Sequence, residues 1–519
     1  MSENKYFDNS EYAMAAYATF SQDDVLSKRE LIKADFTDAQ AEKFINKTEV
    51  VTQHDDEGTG FDATVFERDG KLVLAVRGTV PNDDGDIIPT DTSLALGGAG
   101  YDQIIAMYNW WQRVSAKPGT LVSQIKMDTG YVVPDGAAIL SQEKTTNSPV
   151  NGSLYTYTYL ENTAVPAANE AEGNIYSELM AAGGTFDVVG HSLGGHLAMA
   201  FNSLFPSATE DVFVYNAPGI KDSSFNESFF DWLGGSVPVN GNSNNVHNII
   251  ASEVDLDEES NNLTAGLHSR PGNKVDVRIE PEGGTDNHSQ KFLVDSLAVY
   301  NLLSQMQSDL SLNQYGAIFN AGSQSESASL EGVVDAVNKL LKVSNEKLPI
   351  GDRDAMYKAI HSLQDNSKFQ ALAGSMFIET SINWQDARSN LGAFLSLTNL
   401  TNLVFRTNGS SAENALSSLY TDIVSEWEKD KGRDNSERVY TDSYLADRAV
   451  MLTYILQRNL SGKIPGSYDA QEFRDVVSGA LVYSSDVSPG SDPAKQYVFG
   501  SGSSKNGRPP SFAGEARIV

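Results

Sequence analysis

Cysteine is absent from all 519 residues. That gap removes disulfides, cysteine-ligated zinc and thiol nucleophiles from the chemistry open to this chain. Basic residues are scarce beside acidic ones, 38 Lys and Arg against 69 Asp and Glu, for a formal charge of −31 and an isoelectric point near 4.5. No stretch gathers the bases into a patch, so duplex nucleic acid and anionic membrane surfaces are poor partners. No apolar run approaches the ~18 residues that a membrane span needs, and Met-Ser-Glu-Asn-Lys-Tyr lacks the charged-then-apolar pattern of a signal peptide. The expectation is a protein that either stays in the cytoplasm or leaves by a route that ignores the N-terminus.

What the chain does have is a short apolar run that stops in Gly190-His191-Ser192-Leu193-Gly194. Phe186, Val188 and Val189 precede this turn as a buried strand would, and Leu197, Met199, Ala200, Phe201 and Leu204 follow at helical spacing. The pattern predicts a nucleophile elbow, a sharp strand-to-helix turn that lifts a serine oxygen into a pocket. Its glycines let the backbone close where a Cβ would collide.

Around the turn, Thr37 followed by Gln40 predicts a capping box opening a helix. Strands are expected at 49–53, 61–68 and 71–76, with Asp69-Gly70 as a tight hairpin turn. Further strands are expected at 211–216 and 246–252, and helices at 99–115 and 289–306. Residues 116–183 read as an insertion with some helix. The aromatic segment 225–239 reads equally well as a lid or as core. Strands alternating with helices over 45–305 indicate an α/β domain, assigned to residues 1–307. Residues 308–484 read as a mainly helical region, with helices at 329–342, 352–363, 412–428 and 442–459, and 485–519 as a Gly-, Ser- and Pro-rich tail.

A serine nucleophile needs a base, and the base an orienting acid. In α/β hydrolases these follow in the order Ser, Asp or Glu, His. His288, in the loop Asp286-Asn287-His288-Ser289 before a helix, is the favoured base, with His268 and strand-borne His247 as alternatives. His196, one turn along the nucleophile helix, reads as a packed residue, and His361 falls in the helical region. The acid is expected just after the strand 246–252, where Asp255 is favoured and Asp257 and Glu253 are alternatives. Two backbone N–H groups, of Leu193 and of Thr79 at the end of Arg77-Gly78-Thr79, are the expected oxyanion donors.

Leu74-Ala75-Val76-Arg77-Gly78-Thr79 with its acidic loop, and Gly190-His191-Ser192-Leu193-Gly194-Gly195-His196-Leu197-Ala198, resemble class 3 lipases and, more closely, the bacterial lipase-like domains of RTX-type secreted proteins. Similar stretches recur at 36–42, 102–109, 295–300, 446–449 and 497–500. The resemblance implies an α/β hydrolase that cleaves esters of acyl lipids through a Ser-Asp-His triad, exported extracellularly without a signal peptide by a type I system. Relatives of that kind continue into tandem Gly-Gly-x-Gly-x-Asp calcium repeats, and residues 501–519 contain none. No cofactor is therefore expected to be required. Calcium stays open through the Asp83–Asp91 loop.

Overall fold

The computed structural model describes residues 5–56, 58–78, 99–148, 152–238, 243–252, 268, 270–280, 288–322, 329–344 and 347–461, with short strands at 471–474, 481–484, 498–499 and 516–517. Two compact units divide the chain, residues 1–297 and 298–519.

The first unit is a mixed α/β structure around a seven-stranded, mostly parallel sheet. Its strands are β1 (Glu49–Asp55), β2 (Asp62–Arg68), β3 (Lys71–Val76), β7 (Phe186–His191), β8 (Thr209–Tyr215), β9 (Val246–Ser252) and β10 (Asn273–Arg278), adjacent in that order. The pairs β1–β2 and β2–β3 are antiparallel, and every pair from β3 to β10 is parallel. At the β2–β3 turn Asp69 and Gly70 have φ of +54° and +76°. Both central residues of a two-residue hairpin turn need this left-handed backbone, which Asp-Gly tolerates. Three helices, Lys5–Ala15, Asp24–Lys33 and Asp38–Ile45, precede β1. The third opens on the expected box: Gln40 N–H donates to Thr37 Oγ1 at 3.2 Å, and Thr37 N–H to Gln40 Oε1 at 3.4 Å.

Residues 116–183 contain the expected stretch of helix, but most of those described belong to a sheet that the sequence reading did not expect. They form a three-stranded antiparallel sheet, β4 (Leu121–Gly130), β5 (Ala138–Ser148) and β6 (Gly152–Pro166), with β6 central, and then one short helix, Tyr176–Ala181. Tyr155-Thr156-Tyr157-Thr158-Tyr159 carries the signal, an alternation of aromatic and β-branched residues that favours strand over helix. Asn109, on the helix Tyr101–Ser115, fastens this sheet by accepting from Ile125 N–H at 2.6 Å and donating to Ile125 C=O at 2.8 Å.

The core lies between the central sheet and its helices. Val188, Val189, Val212, Val214 and Phe201 are fully buried, as are Phe229 and Phe230 of the helix Ser224–Trp232. Between the lid and core readings of the aromatic segment, these two rings belong to the core.

In the second unit the main helices are Leu312–Gly322, Leu330–Leu341, Arg353–Gln364, Leu391–Asn399, Ser410–Leu419, Thr421–Asp430 and Asp442–Ser461. The single helix expected over 412–428 is two, parted at Tyr420, whose φ of −127° leaves the helical range. The Tyr420 hydroxyl is held by the carbonyl of Leu340 at 3.0 Å.

Phe229→Ala would leave a large cavity in the first core. The expected cost is about 3–5 kcal/mol of stability, read as a lower midpoint in urea unfolding. A loss under 1 kcal/mol would mean that the ring is not packed as described.

Candidate active site

Register places the ends of the parallel strands along one edge. Val76 of β3 pairs with Gly190, His191 with Tyr215, Tyr215 with Ile249, and Ser252 with Arg278. Arg77 is tied to Asp62 by a side-chain ion pair and by its N–H to the Asp62 carbonyl at 3.0 Å, which holds the exit of β3. In open α/β sheets the crevice beyond these carboxyl ends is where ligands bind.

Ser192 stands at that edge, between the last residue of β7 and the first of the helix Leu193–Leu204. Its φ and ψ are +56° and −127°, a combination that an ordinary side chain avoids and that marks stored strain. The surroundings impose it. A Cβ on Gly190 would sit 2.3 Å from the carbonyl of Gly194, and one on Gly194 2.1 Å from the Val76 carbonyl. Ser192 N–H donates to the Tyr215 carbonyl at 2.9 Å, while its own carbonyl accepts from Gly195 at 3.0 Å and His196 at 3.2 Å. The side chain itself remains partly exposed. Leu193, the first helical residue, has an N–H that helix geometry leaves without an intrahelical acceptor, at the positive end of the helix dipole.

His288 comes to the same edge. Its ring lies 4.8 Å from the His191 ring, and its carbonyl accepts from His191 Nε2 at 2.7 Å and from Asn216 Nδ2 at 3.2 Å. Burial lowers the His288 imidazole to about 4, so it is neutral at pH 7, the form that can accept a proton. His288 thus lies beside His191, the residue that precedes Ser192 and Leu193 in the turn. Thr79 and Asp255, with the alternatives Asp257 and Glu253, lie outside the described residues, as does the Asp83–Asp91 loop.

The other histidines are placed differently. His247 pairs with Phe213 and Asn273 at the start of β9, far from the end that feeds the site, and its ring stacks on Phe213 at 4.8 Å. His196 is fully buried, bonded to Gly219 C=O at 3.2 Å through Nδ1 and accepting from Gly100 N–H at 3.3 Å through Nε2. His268 has φ of +59°. His361 is on the helix Arg353–Gln364 of the second unit.

Three residues that the sequence reading passed over belong to the site. Tyr17 Oη is 2.9 Å from His191 Nδ1, His191 is the link to His288, and Asn216 reaches from β8 to both the Ala251 N–H at 2.9 Å and the His288 carbonyl. Only Asn216 carried a local signal: an asparagine after a strand, before Ala-Pro-Gly, suits the left-handed φ of +48° that it adopts.

Among the described residues one group could gather a metal ion, Asp187, Glu210 and Asp211. It lies at the starts of β7 and β8, and Lys5 Nζ already supplies a cation there, 2.8 Å from Asp211 and 3.4 Å from Asp187. A cavity of about 460 Å³ is lined by His54, Ile105, Asn109, Trp110, Arg113 and Ile125, among others, and by none of Ser192, His191 or His288.

No family profile matches this sequence and no curated protein matches it. Solved structures similar to it are fungal lipases. The lipase from Rhizopus microsporus var. chinensis is 13% identical, with a TM-score of 0.27 over 57% of this chain and 86% of that one. Lipase II from Rhizopus niveus is 15% identical, with a TM-score of 0.24 over 55% and 82%. The Lip2 lipase from Yarrowia lipolytica is 13% identical, with a TM-score of 0.23 over 53% and 78%.

Two expectations follow from this geometry. Gly194→Ala would press a methyl group onto the backbone of β3. Its thermal midpoint should fall by several degrees, with loss of any activity that depends on Ser192; an unchanged midpoint would refute the close approach. The second concerns acid. Burial holds His191 near 3, and His196 and His288 near 4, while all three return to about 6.5 on unfolding. Between pH 6.5 and about 4 the unfolded chain binds more protons, so this stability is complete above pH 6.5 and is lost as pH falls through that window. Glu11, raised to about 7 by burial, acts in the opposite sense. Asp335, raised to about 6, and Asp187, also raised by burial, act in the same sense as Glu11, while burial lowers His54 and His247 as well. With five lowered histidines against three raised carboxyls, the melting temperature should be lower at pH 4.5 than at pH 7. A rise would contradict the burial of the histidines.

Proposed function

We propose that this chain is a serine-dependent carboxylic-ester hydrolase acting on acyl lipids, with the turn at Ser192 as its nucleophile elbow. The observation that carries the proposal is the strained, partly exposed Ser192 at the head of a helix, with a half-buried, neutral histidine, His288, brought to the same sheet edge from the far end of the domain.

In this reading His288 takes the proton from the Ser192 hydroxyl as the oxygen attacks the ester carbonyl. The negative charge of the tetrahedral intermediate is met by the N–H of Leu193 and, by the sequence assignment, that of Thr79. His288 then protonates the departing alcohol, leaving an acyl group on Ser192. A water molecule, deprotonated by the same imidazole, attacks the acyl-enzyme and frees the acid. Asp255, three residues beyond β9, is the assigned carboxylate that orients His288 and balances its charge. The acyl-lipid substrate class comes from the resemblance of the Ser192 and Arg77-Gly78-Thr79 segments to class 3 lipases.

The test is hydrolysis of p-nitrophenyl esters of several chain lengths by the full chain. Ser192→Ala and His288→Ala should each lower turnover by about 10⁴-fold or more, with native circular dichroism, and long acyl chains should be preferred over acetate. Preference for acetate would make the protein an esterase for soluble esters. Activity equal in the wild type and in Ser192→Ala would make it a non-catalytic module on a hydrolase-like fold.

A further inference from the structure

A chain of hydrogen bonds runs behind Ser192, from the segment that follows β3 to the segment that carries His288. The Gly78 backbone bonds the Tyr17 hydroxyl. That hydroxyl lies 2.9 Å from His191 Nδ1, and His191 Nε2 lies 2.7 Å from the His288 carbonyl. The directions follow from the end of the chain. A carbonyl oxygen only accepts, so Nε2 carries the proton. With the ring neutral, Nδ1 is then an acceptor, and the Tyr17 O–H must donate to it. Burial keeps both groups in the form this needs: it lowers His191 to about 3 and raises the Tyr17 phenol well above its ordinary range.

We infer that Tyr17 and His191 are positioning residues for the hydrolytic site, a relay that sets the base-bearing backbone at His288 and the oxyanion-side backbone at Gly78 against each other across Ser192. The inference rests on the proposed reading of Ser192 and His288. It gives the helical segment before β1 a place in the site, although Tyr17 is 174 residues from His191 in sequence.

Space is as closely fitted as polarity. A Cβ on Gly78 would fall 2.3 Å from Tyr17 Oη and 2.5 Å from the His191 carbonyl, so Gly78 admits no side chain between them. His191 is 7% exposed, so no bulk water replaces a lost partner. Asn216 Nδ2 adds a second donor to the same His288 carbonyl at 3.2 Å while its Oδ1 is held by Ala251 N–H. The carbonyl next to the base is therefore gripped from β7 and from β8 at once. A group displaced by about 1 Å from its attacking geometry can lose ~10²-fold in rate, which is the scale on which such a grip matters.

The test uses the full chain with Tyr17→Phe, His191→Phe and His191→Gln, each checked by thermal melting, beside Ser192→Ala and His288→Ala. Tyr17→Phe removes only the donor to Nδ1 and should lower kcat about 5- to 20-fold with KM within about twofold. His191→Phe removes both bonds and should lower kcat about 10²-fold. His191→Gln, whose amide N–H can still reach the His288 carbonyl, should recover part of that loss. Independently of activity, ¹⁵N NMR of the imidazoles in the resting protein should show His191 neutral and protonated on Nε2 from pH 5 to 8, with the Nδ1 signal shifted in Tyr17→Phe. The inference is overturned if Ser192→Ala and His288→Ala are dead while Tyr17→Phe and His191→Phe keep wild-type kcat, or if NMR finds the proton on Nδ1. Wild-type activity in Ser192→Ala overturns instead the hydrolase reading, and the NMR result still judges the relay by itself.

Discussion

Around Ser192, Gly78, Gly190 and Gly194 stand where a methyl group has no room, and the turn is organised around that lack of space. Gly194 meets the Val76 carbonyl, Gly190 meets the Gly194 backbone, and Gly78 meets Tyr17 and the His191 carbonyl. Because these backbones touch, β7 can pair with β3, the helix that follows can start at once, and Ser192 is forced into a left-handed conformation at their junction. The strain of one residue is held by the packing of many, since the turn is buried on the fully occluded Val188, Val214 and Ala198. A looser turn would point the serine elsewhere.

The second constraint is electrical. The chain carries a large negative charge, yet the groups around Ser192 are neutral imidazoles and a protonated phenol. Exclusion of water does this work, because desolvation penalises the charged form of each group. Neutral groups with one donor and one acceptor can be strung in a single direction, from Gly78 through Tyr17 and His191 to His288. The charges stand in pairs instead: Lys5 sits among Asp187 and Asp211 at the other end of the sheet, and Arg77 is matched by Asp62 at the exit of β3.

Much of the α/β architecture could be read in the sequence because it depends on local signals. The turn residues of Asp69-Gly70, the box of Thr37 and Gln40, and the apolar runs at 71–76 and 246–252 each act over a few residues, and the observed elements follow them closely. The three-stranded insertion was missed because its polar, Tyr- and Thr-rich strands lack the apolar period that marks a buried element. The helix expected over 412–428 is parted at Tyr420, whose hydroxyl reaches the carbonyl of Leu340, a contact that no local window contains. Of the proposed site, the strand-to-helix turn at Ser192 was legible through its glycines, and the place of His288 before a helix through the apolar period that follows it. Tyr17 and His191 were not, since a tyrosine in a helical preface and a histidine inside a motif gain meaning only when the sheet closes. Asp255 and Thr79 remain assignments made from the sequence.

The central claim is that Ser192 is a nucleophile activated by His288. The most direct measurement is incubation of the full chain with a p-nitrophenyl alkylphosphonate, which transfers its phosphonyl group to an activated serine with release of nitrophenol. Peptide mass spectrometry then locates the adduct. The account predicts one equivalent of nitrophenol and a single adduct on Ser192, formed far more slowly in His288→Ala. An adduct on another residue, or none on Ser192 in the wild-type protein, would contradict it.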